Sequence, residues 1–211
     1  MSLKIYGIAA SRAARPLWVA HELGLDHEHV PNPYAGGATR TPEFLELNPN
    51  GHIPVVDDHG VIVWESMACA LYLAQRYRAS DGTTLAGVSP AEQADVLRWT
   101  FWVVTECEKD ALAVLMHTVA MPADRRKPEL AQEAASRLQV PLAVLEQHLA
   151  HSGPHLAGER FTVADICVAS VLGWIQPLPE LLADKPRVGA WLQRCLGREA
   201  NKQVRALSRK S

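Results

Sequence analysis

The sequence predicts an α/β unit over residues 1–80 followed by an all-helical unit over residues 88–211. Three observations lead there. Before residue 80, β-branched runs of strand length alternate with helical patterns, the signature of a mixed α/β unit. After residue 88 the apolar residues keep helical spacing almost throughout. Between the two, Ser80-Asp81-Gly82-Thr83-Thr84 is polar, favours neither element and reads as a boundary.

Within the first unit, Leu3 to Gly7 reads as a strand, and Ala13 to Leu23 as an amphipathic helix stopped by Gly24. His27 to Val30 is a second strand, closed by Pro31-Asn32-Pro33. A loop carrying Gly36-Gly37 leads to a short helix from Pro42 to Leu47, and Asn48-Pro49-Asn50-Gly51 is a tight turn. Ile53 to Val56 and Val61 to Trp64 form a hairpin about Asp57-Asp58-His59-Gly60, after which Ser66 to Arg78 is helical. In the second unit Ser89 caps a long helix opened by Pro90, with Leu97, Phe101, Val104, Ala111 and Leu115 on its apolar stripe. Met121-Pro122 breaks it. Pro128 to His151 follows, with Pro141 inside, where the ring removes one backbone bond and should bend the helix. Thr162-Val163-Ala164-Asp165 has the form of a capping box for a helix through Gly173. Pro186 to Leu196 is the last helix expected, and the basic tail from Arg205 is expected to fray.

The 211 residues are 48% hydrophobic and 21% charged, the balance of a globular protein. A net charge of -2 with both signs interspersed leaves no basic stripe for a phosphate backbone, so nucleic acid is excluded as a partner. No run resembles a signal peptide or approaches a membrane span, so no membrane partner is expected. Cys69, Cys107, Cys167 and Cys195 lie far apart with no Cys-x-x-Cys pair; they read as buried free thiols suited to a reducing, cytoplasmic compartment. The histidines show no ligand spacing, so no metal is expected. Gly36-Gly37 has the context of neither a P-loop nor a dinucleotide site.

Four groups could carry chemistry. Ser11 lies between the first strand and the first helix, where a hydroxyl beside free N–H groups at a positive helix end stabilises an anion, a thiolate included. Its plainer reading is a helix cap. Pro54, behind the tight turn, is a candidate cis residue; that geometry would turn the Ile53 backbone outward to pair with an extended peptide, whereas a trans proline would merely start a strand. Glu65-Ser66 at a helix start combines a hydroxyl and N–H groups for a carboxylate with an acid for an ammonium, or is another cap. Trp99, Phe101, Trp102 and Trp174 line an apolar pocket or fill a core.

Taken in order, Ile5-Tyr6-Gly7, Ser11-Arg12-Ala13-Ala14-Arg15, the segment from Asn48 to Val56, Glu65-Ser66 and the capping box at Thr162 resemble the cytosolic glutathione transferase superfamily, closest to bacterial members of the serine or cysteine type. The resemblance spans nearly the whole chain. It implies a thioredoxin-like N-terminal domain with a mixed four-stranded sheet, an all-α C-terminal domain, and a homodimer with a site in each subunit. It further implies that the Ser11 hydroxyl donates to the glutathione sulfur, that Ile53 pairs with the cysteinyl part beside the cis-proline Pro54, and that Glu65 and Ser66 grip the γ-glutamyl end. His52 falls near the glycine carboxylate, where relatives often carry lysine or another polar donor. Serine at position 11, with Ala10 beside it, disfavours the disulfide exchange of cysteine-type members, and the absence of tyrosine there argues against the tyrosine classes.

The expected reaction is attack by glutathione, held as its thiolate, on a small hydrophobic electrophile in the helical domain. Spacing assigns Trp99, Trp102, Val103 and Glu106 to that second pocket. No cofactor is expected, since glutathione is the co-substrate. Two other readings stay open: a glutathione-dependent isomerase or dehalogenase on the same site, and a non-catalytic dimeric binding module of the same fold.

Overall fold

Strand β1 (Leu3–Tyr6) alternates buried and half-buried side chains, so Leu3 and Ile5 face one layer while Tyr6 faces the other. A computed structural model describes residues 2–209 and places β1 inside a four-stranded sheet of order β2-β1-β3-β4. β2 (Glu28–Val30) runs parallel to β1, with Ile5 opposite His29. β3 (Val55–Asp58) runs antiparallel to β1 and to β4 (Val61–Trp64), pairing Ile5 with Val56 and Val55 with Trp64. The sheet is therefore mixed, as the resemblance implies. β3 starts at Val55 rather than Ile53, because Ile53 and Pro54 lie in the approach loop.

Helices α1 (Ala14–Glu22) and α3 (Ser66–Arg76) pack against each other, and Leu17, Trp18, Cys69 and Leu73 are fully buried with Ile5, Val55 and Val56. Helix α2 (Pro42–Leu47), capped by the Thr41 hydroxyl, sends Phe44 edge-on to Tyr6 with ring centroids 6.5 Å apart. Since Tyr6 points away from Leu3 and Ile5, α2 covers the opposite face of the sheet.

The chain divides into one unit running through Ala86 and a second spanning Gly87–Gly197, and the segment from Arg198 returns to the first. The expected assignment of 88–211 to one helical domain is corrected here. So is the frayed tail: helix α9 (Glu199–Ser208) buries Ala200, Asn201 and Val204 and packs on α1. Arg198 seals the return by a two-point pair with Glu22, at 2.6 and 2.8 Å, and the Trp18 indole donates to the same carboxylate at 3.0 Å. Positions 210 and 211 of the basic tail lie outside the described residues.

In the helical unit, α4 (Pro90–Trp102) is capped by Ser89 as expected. The long helix is not uniform, however. π turns at Val103–Cys107 and Met116–Ala120 flank α5 (Glu108–Leu115). Each π turn holds a threonine, Thr105 or Thr118, whose hydroxyl donates back to the carbonyl four residues earlier, a bond that loosens the regular ladder. α6 (Pro128–Leu149) continues through the buried Pro141. α7 (Val163–Leu172) is apolar on all sides and buries every residue but Ser170, the mark of a central helix. α8 (Pro186–Leu196) packs on α6 and α7 through Val188, Trp191, Leu192 and Cys195.

Asp165 ties this unit together. Its carboxylate is wholly buried and accepts from the Thr162 N–H at 2.9 Å, the Leu156 N–H at 3.1 Å and the Trp191 indole at 2.8 Å. The first of these closes the acid's half of the capping box read from the sequence.

Candidate functional site

Ser11 sits in the turn between β1 and α1, and Gly7 makes that turn possible. Gly7 has φ +126°, and a Cβ there would lie 2.9 Å from the Ala13 Cβ and 3.0 Å from the Ile53 Cβ. Only glycine allows the end of β1, the start of α1 and the Ile53 loop to meet so closely. Ser11 is half-buried; its hydroxyl donates to the Ile8 carbonyl at 2.7 Å and accepts from the Ala13 N–H at 3.1 Å. The hydroxyl thus sits just ahead of α1, on the N–H of the residue that precedes the helix.

The Ile53 loop is built by Asn48, which is 2% exposed. Its amide donates to the His52 carbonyl at 2.8 Å, and its side-chain oxygen accepts from the Asn50 N–H at 3.0 Å. Gly51 closes the turn at φ +62°, where a Cβ would meet the Thr39 carbonyl at 2.8 Å. The Ile53–Pro54 bond is cis. Pro54 is buried, Ile53 half-buried and His52 exposed. Among the described residues, no backbone group outside the regular elements takes the N–H or the C=O of Ile53. In the sequence the Asn-Pro-Asn-Gly turn is the one signal for Asn48, and it marks a turn without showing that Asn48 builds the loop.

Glu65 is exposed and holds φ 71° and ψ 117°, a sparsely populated conformation for a residue with a side chain. It precedes α3 without capping it, and the first turn of α3 carries no acid. Ser66, 5% exposed, accepts a 2.7 Å hydrogen bond from the Arg15 guanidinium. Ser11, Ile53, Pro54, Glu65 and Ser66 all belong to the first unit. In the sequence Arg15 stands out only as a charge among the apolar residues of α1.

The residues assigned to the second pocket scatter. Val103 is fully buried in the helical unit and Glu106 is exposed. Trp99 and Trp102 stack edge to face at 4.9 Å, and Trp99 also lies 4.4 Å from the His148 ring. With Arg98, Val144, Gln147 and His151, these three rings line a groove of ≈ 450 Å³ within the helical unit. Burial holds the His148 imidazole below its ordinary pKa.

The four cysteines are free and buried. Burial pushes the Cys69 and Cys107 thiols up to about 12, which leaves neither as a thiolate near neutrality. Among the described residues no group of histidine, cysteine and acidic side chains could hold a metal ion, and no helix is long and apolar enough to cross a membrane.

Fold and site together define a class: a thioredoxin-like domain with a serine hydroxyl at the opening of its first helix, joined to a helical unit. Residues 1–75 match the family model for the N-terminal domain of glutathione S-transferase, and residues 109–199 match that for its C-terminal domain. Glutathione S-transferase 3 of Zea mays is 34% identical over 207 residues, covering 94% of this chain and 90% of that protein. Glutathione S-transferase F9 of Arabidopsis thaliana is 28% identical over 212 residues, covering 97% and 96%. Among solved structures, the theta class glutathione S-transferase from Xanthomonas axonopodis pv. citri with glutathione bound superposes with TM-score 0.84 at 30% identity, covering 97% of each chain. The chain belongs to the glutathione S-transferase family. The expected closeness to bacterial members gains no support from the sequence relatives named here, which are plant proteins.

Proposed function

We propose that this protein is a serine-type glutathione transferase that holds glutathione as its thiolate and directs it at a small hydrophobic electrophile. The observation that carries this reading is the Ser11 hydroxyl, half-buried at the opening of α1 with the Ala13 N–H already on its oxygen. Rotation about the Cβ–Oγ bond would move the proton from the Ile8 carbonyl to a sulfur lying beside it. A donor and a helix opening both favour the anionic form of a thiol, whose free pKa is about 8.5. No cofactor enters, because the peptide brings its own nucleophile.

The rest of the first unit suits the peptide. The Ile53 backbone would pair with the cysteinyl residue as an added strand. Ser66 and the opening of α3 would take the γ-glutamyl carboxylate, and Glu65 the ammonium. The exposed His52 would face the glycine carboxylate. For the electrophile, Trp99 and Trp102 are the apolar rings of the helical unit that reach a groove, whereas Val103 is enclosed. A second copy of the chain would cover the exposed apolar stripe of Leu97, Phe101 and Val104 in the helical unit. Sedimentation at twice the chain mass would support that dimer, and sedimentation at the single-chain mass would reject it.

The test follows the thiolate itself. Glutathione bound to the wild type is titrated by its ultraviolet thiolate absorbance, next to Ser11→Ala. The expected result is a bound pKa at least one unit below 8.5 in the wild type and a return toward 8.5 in the variant, with affinity nearly kept. Conjugation of a chromogenic aryl halide should fall in step. An unchanged titration and rate in Ser11→Ala would remove Ser11 from the mechanism.

A further inference from the structure

Arg15 is 1% exposed, on a helix whose buried residues are otherwise Pro16, Leu17, Trp18, Val19 and Ala20. A guanidinium in such a place is costly unless its donors are used, so its direction carries information. It reaches from α1 across 51 residues of sequence to the Ser66 hydroxyl, which it meets at 2.7 Å in a buried, charge-assisted hydrogen bond. A serine hydroxyl has one proton and two lone pairs. Here one lone pair is taken by Arg15, and among the described residues the proton is given to no protein group. Ser66 opens α3, whose first turn has no side-chain cap and no acidic residue. The positioned φ of Glu65 turns the chain into that helix start.

We propose that Arg15 is a positioning residue for carboxylate recognition: it fixes the Ser66 hydroxyl from behind, so that its proton points at the γ-glutamyl carboxylate of the bound peptide. The buried charge polarises that hydroxyl into a stronger donor and adds to the positive end of α3. Arg15 itself touches no reacting atom. The proposal rests on the reading that Ser66 receives this carboxylate, and it explains why a charge is placed in the apolar face of α1.

The test compares glutathione with an analogue whose γ-glutamyl α-carboxylate is replaced by a carboxamide, by calorimetric titration of the full chain. Wild type, Ser66→Ala, Arg15→Met, Arg15→Gln and Arg15→Lys are measured. Wild type is expected to prefer the carboxylate by roughly tenfold or more, the scale of a charge-assisted hydrogen bond. Arg15→Met and Arg15→Gln should each lose most of that preference while keeping the affinity for the carboxamide, and Arg15→Lys should restore part of it. A purely structural role would weaken both ligands alike, so parallel losses in the two neutral variants overturn the proposal. Should Arg15→Met not fold, the better-hydrogen-bonding Gln variant decides the same question. A preference abolished by Ser66→Ala and kept in a folded neutral variant at position 15 overturns the role of Arg15 alone. No preference in the wild type, or an unchanged one in Ser66→Ala, overturns the Ser66 reading and Arg15 with it.

Discussion

Replacing Asp165 by alanine should be among the most damaging single changes in the helical unit. The carboxylate is 0% exposed and serves three close donors, the Thr162 and Leu156 N–H groups and the Trp191 indole, with the Thr162 hydroxyl a fourth at 3.4 Å. Each donor left buried without a partner costs about 1–3 kcal/mol. Removing the acid also removes its own desolvation penalty, which offsets part of that sum. The net loss expected is about 3–5 kcal/mol, the range seen when a buried charged network is broken. Against the usual total of about 5–15 kcal/mol, such a loss would leave little folded protein at elevated temperature. Asp165→Asn separates the contributions. Leu156 and Trp191 both donate to Oδ1, which asparagine keeps, while Thr162 donates to Oδ2, which becomes an NH₂ group facing an N–H. That variant should lose about 2 kcal/mol, one donor's worth. Urea unfolding, followed by circular dichroism and by tryptophan fluorescence that includes Trp191, gives both values. A loss below about 1 kcal/mol in Asp165→Ala, or equal losses in the two variants, would refute the argument that these three bonds organise the unit.

Further predictions concern acid, thiols and the turn at Gly7. Burial alone would raise the Asp58 carboxyl, but the hydroxyls of Tyr77 and Tyr72, at 2.6 and 2.7 Å, with His59 and Arg76 nearby, hold it below its ordinary value. A depressed folded pKa contributes stability above the unfolded value of 3.8, lost as pH falls through the depressed value. Asp58→Asn should therefore lower stability at neutral pH and flatten the acid limb of the stability–pH curve; an unaltered acid limb in chemical denaturation would contradict this. All four cysteines are buried, and the thiols of Cys69 and Cys107 are pushed up to about 12. Ellman's reagent at pH 8 should find no thiol in native protein and all four in denaturant, so rapid native labelling would count against the burial described. Gly7→Ala forces a Cβ within 2.9 Å of Ala13 and a side chain into φ +126°. Loss of glutathione binding is expected with it, together with a drop of several degrees in Tm.

Much of the architecture was readable because local rules and packing agree there. Ser89 before Pro90, Thr162 three residues before Asp165, and the β-branched runs of the hairpin all became the elements their chemistry favours. Helix α9 escaped because Glu199–Ser208 is mostly polar, with only Ala200, Asn201 and Val204 buried. Its stability comes from packing on α1 and from the Arg198–Glu22 pair, partners 176 residues apart that no window along the chain connects. The π turns escaped for a different reason. Helical periodicity survives one widened turn, and the threonines that mark it also fit an ordinary surface helix.

The candidate site residues divide along the same line. Ser11, Pro54 and Ser66 could be named from the sequence because each stands at an element boundary, where a polar or rigid side chain has a local reason to be. Arg15 has no local reason. It interrupts the buried face of α1 between Ala13 and Leu17, and the side chain it meets at 2.7 Å, Ser66, lies 51 residues away. Glu65 likewise adopts φ 71° where a glycine would rest without strain. These two departures meet at one point, since Arg15 donates to Ser66 and Glu65 is the residue that precedes it. A charge in the core and a strained backbone beside one uncapped helix start are each unfavourable for folding alone. Their convergence on one helix start is the observation on which the proposed carboxylate site rests, because the cost of each would be offset there by a bound anion.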